Sequence, residues 1–219
     1  MITLYHTPVS PNSRRVWITL LEKGLEFELV EVKLNGGQFK PEFLAINPFH
    51  HIPALVDDGF NVVESLAILD YLEAKYPTPN MLPKEVEELT IVRMVQMVSV
   101  NELLPAINPL ISRILDMPGE DTEKVAKAEA KISTVLTFFE KLLGDRPYFG
   151  SDNITLADVV AGTIIPLISR GGISLDEYPK VSAWCKNLMT RSSWQNSAAT
   201  EAAFAEFRSN MLARMQQKK

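Results

Sequence analysis

The residues best able to do chemistry crowd into positions 47–65, NPFHHIPALVDDGFNVVES. Glu64 and Ser65 open what reads as a helix. A serine there is an N-cap by type, yet position 68 is Ile, so the acid that would complete a reciprocal cap is missing. That leaves the helix end open to an outside carboxylate, and Glu64 beside it suits an ammonium. Together the two suit an amino-acid head group. Upstream, Pro53 sets a rigid turn before a strand, of the kind a cis bond makes. Such a turn offers the N–H and C=O of Ile52 to an extended, peptide-like ligand, as in strand addition. His50 or His51 would hold a second carboxylate further along. Taken singly, Ser65 is a plain cap and the histidines a surface turn; only the combination points to a binding site. No metal is expected, because adjacent histidines point apart and no third ligand stands at a familiar spacing.

A second cluster, VSPNSRRV (residues 9–16), forms a turn between a strand and a helix. Ser10, Asn12 and Ser13 are all cap-type residues, and one of them acting as N-cap explains the stretch without any ligand. The functional alternative is a hydroxyl or amide aimed at a ligand thiol or anion beside the helix N-terminus. A free thiol titrates near pH ~8.5, so little is ionised at neutrality. Lowering that value by about two units takes about 2.7 kcal/mol. One charge-assisted hydrogen bond and a helix-end dipole supply that between them. Arg14 or Arg15 would assist, or would simply be solvated. Tyr5 lies inside the preceding strand and is assigned packing or site lining, not catalysis.

These residues need a scaffold, and the chain supplies strand and helix signals in alternation. ITLYH (2–6) reads as a strand, and the helix after it carries Val16, Trp17, Leu20 and Leu21 at helical spacing, with Gly24 at its end. EFELVEV (26–32) is a strand and PEFLAIN a short helical turn. PALV and FNVV, joined by DDG, make a hairpin, and ESLAILDYLEAKYP is a helix. The order is β-α-β-α-β-β-α, a small α/β layer domain over residues 1–76. YPTPNMLP carries three prolines, which sets a linker at 77–84. Residues 85–219 show only helical periods, expected as helices near 85–116, 121–143, 155–170, 178–191 and 196–215. Thr155 and Asp158 have the spacing of a capping box, a structural rather than a chemical feature.

The 219 residues suffice for one or two cored domains. A net charge of −5 argues against a nucleic-acid partner, which usually meets a basic face. No apolar run is long enough to span a bilayer, and the first ten residues lack a signal-peptide pattern, so a soluble cytoplasmic protein is expected. The single cysteine, Cys185, cannot form an internal disulfide and is expected as buried packing.

Taken in order, NPFHHIPALVDDGFNVVESLAILDYLEAKYP, the proline linker and the helical half with ITLAD resemble the cytosolic glutathione transferase superfamily along essentially the whole chain. The resemblance implies a thioredoxin-like first domain and an all-α bundle as the second. It implies glutathione as co-substrate, no cofactor, and a homodimer. Pro53 matches that family's cis-proline and Ile52 the residue that binds the cysteinyl backbone. Glu64 and Ser65 would hold the γ-glutamyl head, and His50, with His51 as the alternative, the glycyl carboxylate. Ser10 falls where serine-type classes keep the hydroxyl that stabilises the thiolate, and the SPN order makes Asn12 a second candidate for that role. SPNS also lacks both cysteines of a redox-active turn, so dithiol chemistry is not expected there. The implied reaction is conjugation of the thiolate to electrophilic, mostly apolar molecules. The second substrate would meet Met94, Met97, Val98 and Asn101, whose alternative is core packing or a dimer seam. Glutathione-dependent isomerisation, dehalogenation, or peroxide or disulfide reduction are the rival reactions, and a non-catalytic binding protein the rival class.

Overall fold

The computed structural model describes residues 1–217. Its packing divides the chain into two units. One holds Met1–Pro79 together with the chain from Ser193 onward, and the other Asn80–Ser192.

The first unit is built on a four-stranded sheet of order β2-β1-β3-β4. Its strands are β1 (Ile2–His6), β2 (Phe27–Glu31), β3 (Ala54–Asp57) and β4 (Phe60–Val63). β1 and β2 run parallel, with Leu4 opposite Leu29, because a helix carries the chain back between them. β3 pairs antiparallel with β1 and with β4. Asp58 and Gly59 turn that hairpin with φ of 49° and 85°, the positive values a tight two-residue turn needs. The expected order of elements and the thioredoxin-like arrangement are both present.

Helix α1 (Pro11–Glu22) crosses between β1 and β2. Pro11 starts it with φ already set, and Gly24 stops it in a left-handed conformation. There the Gly24 N–H bonds Leu21 O and the Leu25 N–H bonds Leu20 O, closing the last turn. The short α2 (Pro41–Leu44) and α3 (Ser65–Lys75) complete the N-terminal part. Tyr5 packs with Ile46, Ile52 and Val63 against a core of Val32, Phe43 and Ala54. Its ring lies 6.0 Å from that of Phe43, a packing role as expected. The end of the chain adds α11 (Ser192–Asn196) and α12 (Glu201–Gln217). Arg14 ties α1 to this segment through Ser197 O (3.0 Å) and Trp194 O (3.3 Å).

The second unit is helical, but its helices are more broken than their periodicity suggests. The single helix expected over 85–116 is α4 (Val86–Val98), a π turn at Ser99–Leu103, α5 (Leu104–Ile107), a 3-10 turn and α6 (Ile111–Ile114). Pro105 and Pro109 each remove an N–H donor, so the ladder cannot run through them. For the same reason 155–170 is split into α8 (Leu156–Gly162) and α9 (Ile165–Arg170), with Pro166 opening the second piece. The longest helix, α7 (Thr122–Leu143), is capped by Asp121, whose side chain accepts from the Lys124 N–H. α10 (Pro179–Met189) carries Cys185, which is buried as expected, and burial pushes its thiol up to about 11.

Thr155 and Asp158 do form the reciprocal cap of α8. Asp158 is wholly buried and accepts four hydrogen bonds. Two come from the N–H and hydroxyl of Thr155, one from the Phe149 N–H and one from the Trp184 indole N–H, at 2.7–3.0 Å. A cap by type is thus also the polar hub joining α8, α10 and the turn at Phe149.

Candidate functional site

A cavity of about 470 Å3 in the first unit is lined by His50, His51, Ile52, Pro53, Glu64 and Ser65. Six of the seven glutathione-binding candidates of the sequence therefore meet at one place, and Ser10, the seventh, does not line this cavity. Asn12 joins them from α1. Each residue is held by its own local device. The Ile52–Pro53 peptide bond is cis. His50 has φ of 49°, so the chain reverses there. The loop is pinned by Asn47, which is 1% exposed; its side chain donates to His51 O (2.7 Å) and accepts from the Phe49 N–H (3.1 Å). The two imidazoles stand edge to face, 5.3 Å apart, with the Phe39 ring 4.9 Å from that of His50. Both rings border the cavity, so the choice between them stays open.

Ser65 is not the N-cap it was expected to be. The cap position is Glu64, with φ of 66° and ψ of 115°, and Ser65 is the first residue of α3. Glu64 makes no side-chain cap. It is held in a backbone conformation that non-glycine residues rarely adopt, and such residues concentrate where a ligand is gripped. The first N–H groups of α3 are thus left for something other than this cap, while the Glu64 carboxylate stays exposed beside them.

Behind Ser65 lies Arg15, which the sequence offered only as a helper or a solvated charge. It is fully buried, and its Nη1 donates to Ser65 Oγ at 3.3 Å. Nε and Nη2 have no hydrogen-bond partner among the described residues. Burial alone lowers its pKa to about 9. Arg14 is not solvated either, since it bonds the carbonyls of the C-terminal segment.

At the turn, Ser10 is the N-cap of α1, and its Oγ accepts from the Ser13 N–H at 3.3 Å. That bond uses a lone pair and leaves the hydroxyl proton free to donate. Ser13 is buried and accepts from the Thr7 N–H. Of the two thiolate candidates, Asn12 is the one that borders the cavity. Its Oδ1 is buried and unpaired among the described residues, an acceptor in need of a ligand donor.

Leu34 and Gln38 complete the lining and were missed. Both come from a loop with no periodicity, where sequence carries no directional signal. Asn47 left a legible trace in the Asn-Pro turn, and Arg15 left none, because an arginine among apolar helix residues reads as surface. Leu34 also borders a second cavity of about 390 Å3, lined further by Pro8, Val9, Trp17, Ala203 and Phe207. Met94, Met97, Val98 and Asn101 belong to the second unit. Met94, Met97 and Asn101 are exposed and Val98 half-buried, so core packing does not explain the first three. Among the described residues no group of three or more His, Cys, Asp or Glu could hold a metal, and no helix is long and apolar enough to cross a membrane.

A thioredoxin-like unit with such a cleft, followed in the chain by a helical unit, is the arrangement that the resemblance to glutathione transferases implies. Residues 4–80 match the model of the glutathione S-transferase N-terminal domain, and residues 102–192 that of its C-terminal domain. Glutathione S-transferase F10 of Arabidopsis thaliana is 32% identical over 91% of this chain and 97% of its own. Maleylacetoacetate isomerase of Rattus norvegicus is also 32% identical, over 89% of this chain and 90% of its own. A solved glutathione S-transferase-I bound with lactoylglutathione superposes with a TM-score of 0.80 at 31% identity, covering 90% of this chain and 98% of that one. The chain belongs to the glutathione S-transferase family.

Proposed function

We propose that the chain is a glutathione transferase that holds glutathione along the 470 Å3 cavity and joins its thiolate to electrophilic, mostly apolar small molecules. The observation that carries this is the meeting of ligand-end chemistries in one cleft. The γ-glutamyl carboxylate lies on Ser65 and the open end of α3, with its ammonium at Glu64. The cysteinyl backbone runs beside Ile52 and Pro53. The glycyl carboxylate reaches His50 or His51, next to Gln38. The sulfur then points to the start of α1, where Ser10 donates its free hydroxyl proton and Asn12 lines the approach. The helix end and the Ser10 hydroxyl favour the thiolate, the form that attacks the second substrate. That substrate meets Met94, Met97, Val98 and Asn101; methionine suits varied apolar shapes.

Isothermal calorimetry with millimolar glutathione is expected to give a binding heat; a flat titration sinks the reading. With an aryl halide, Ser10→Ala is expected to lower kcat by about 100-fold and to move the ascending, acid limb of the pH–rate profile to higher pH. A variant with an unshifted profile would transfer the role to Asn12→Ala. A second reading, glutathione-dependent isomerisation, is favoured by the similarity to maleylacetoacetate isomerase. Turnover of a cis-enone diacid without net glutathione consumption would select it. We also propose a homodimer with a detoxifying role in the cytoplasm, on the family relationship, to be checked by sedimentation equilibrium.

A further inference from the structure

The first unit has a further cavity, of about 700 Å3, at the end of β3 opposite to Pro53. It lies where the start of β1, the turn after α1 and the end of α3 come together, and Ile2, Leu25, Phe27 and Tyr76 give it apolar and aromatic walls. Its side-chain charge is of one sign. Asp57, Glu26 and Glu28 line it, and no Lys, Arg or His side chain does so among the described residues. Glu26 and Glu28 are exposed and have no ion pair among the described residues. Asp57 supplies what an acidic rim alone lacks. It is 1% exposed, and its Oδ2 is taken by Lys75 Nζ and by the hydroxyls of Tyr71 and Tyr76. Its Oδ1 is buried and has no hydrogen-bond partner among the described residues. A buried acceptor is normally satisfied, because leaving it bare costs stability. The cations near it are committed elsewhere, Lys75 to Oδ2 and the Met1 ammonium to Asp58. With Oδ2 turned to α3, Oδ1 is the oxygen left for a donor inside the cavity.

We propose that this cavity binds a primary ammonium carried on an apolar body, an arylalkylamine by chemical class. The ammonium donates to Asp57 Oδ1, Glu26 and Glu28 at the rim match its charge, and the body packs against Ile2, Leu25 and Phe27. A primary ammonium has three donors and no acceptor, so it supplies what Oδ1 lacks and brings nothing that the site must satisfy in turn. A metal ion does not fit, since no three His, Cys, Asp or Glu groups among the described residues are placed to hold one. A neutral alcohol reaches Oδ1 but gains nothing from the rim, and a carboxylate is repelled by it. The site goes beyond the glutathione reading, and none of its lining residues borders the 470 Å3 cavity.

The test titrates 2-phenylethylammonium, 2-phenylethanol and 3-phenylpropionate into the isotope-labelled full chain and follows the backbone amides by NMR, with and without millimolar glutathione. The ammonium is expected to give saturable shifts at residues 24–28 and at Asp57, with a Kd of about 1 mM or tighter. Glutathione should leave that Kd unchanged. The alcohol should bind at least about 10-fold more weakly and the carboxylate not at all. Asp57→Asn is expected to weaken the ammonium at least about 10-fold. Glu26→Gln with Glu28→Gln should reduce its advantage over the alcohol to about threefold or less. No saturable shift, or an alcohol bound as tightly as the ammonium, overturns the proposal. So does a response confined to Glu64 and Ser65 and abolished by glutathione, which places the amine in the other cavity. Should Asp57→Asn not fold, the double variant, which alters only exposed side chains, decides: an undiminished preference for the ammonium sinks the site as described.

Discussion

Two buried carboxylates respond to pH in opposite senses. Asp57 is 1% exposed, and its Oδ2 accepts from Lys75 Nζ (2.7 Å), the Tyr76 hydroxyl (2.8 Å) and the Tyr71 hydroxyl (2.9 Å). Burial works to raise its pKa, but the three donors outweigh it and hold the carboxyl below its ordinary 3.8. The folded protein therefore grips the ionised form, and the stability Asp57 contributes is complete above pH 3.8 and lost as pH falls through the lower folded value. Asp158 is pushed the other way, to about 6, because burial outweighs its four donors. Its contribution is greatest in acid and declines as pH rises from 3.8 towards 6. Urea midpoints measured from pH 2 to 7 are expected to fall at the acid end in wild type and to fall less in Asp57→Asn. In Asp158→Asn the decline between pH 4 and pH 6 should vanish, so the variant's deficit is greatest in acid, at about 3 kcal/mol, and shrinks as pH rises towards 6. Parallel curves for all three proteins would contradict both assignments.

At the level of elements, the strands and α1 were readable because each carries a complete local code. Alternation or an apolar run marks the strand, Pro11 opens the helix, Gly24 closes it, and Asp58-Gly59 makes the hairpin turn. The segmentation of 85–116 was not readable, since the apolar period continues through Pro105 and Pro109 even where the hydrogen-bond ladder does not. The site divides the same way. Residues with a turn or cap signature, from His50 to Pro53 and at Glu64-Ser65, were visible. Gln38, Leu34 and Arg15 acquire their meaning only from what the fold sets beside them. Gly150 is another such case. Its φ is 71°, and a Cβ there would stand 2.6 Å from Glu88 O and 3.3 Å from Val92 Cγ2 on α4. Neither the backbone carbonyl nor the helix can retreat cheaply. Gly150→Ala is expected to cost at least about 2 kcal/mol, read as a drop of roughly 5 °C or more in Tm. An unchanged Tm would mean that the turn and α4 are not in register as described.

At the scale of the whole molecule, the first unit is assembled from both ends of the chain. Trp194 is 1% exposed and Ser197 wholly buried, and their carbonyls are the acceptors for Arg14. Ser193 adds a bond to Glu22. A chain ending at Ser192 loses this buried tryptophan and its anchors, and its Tm is expected to fall by roughly 10 °C. Hydrogen exchange should show α1 deprotected in that shortened protein; full protection of α1 would show that the tail is dispensable.

The same arrangement has a consequence for synthesis. The stretch before residue 80 waits for the stretch after residue 192, while more than a hundred residues of the helical unit leave the ribosome in between. During that interval Arg14 lacks its acceptors. A message cut short after residue 192 is therefore expected to leave an earlier-made stretch of the molecule without its anchors.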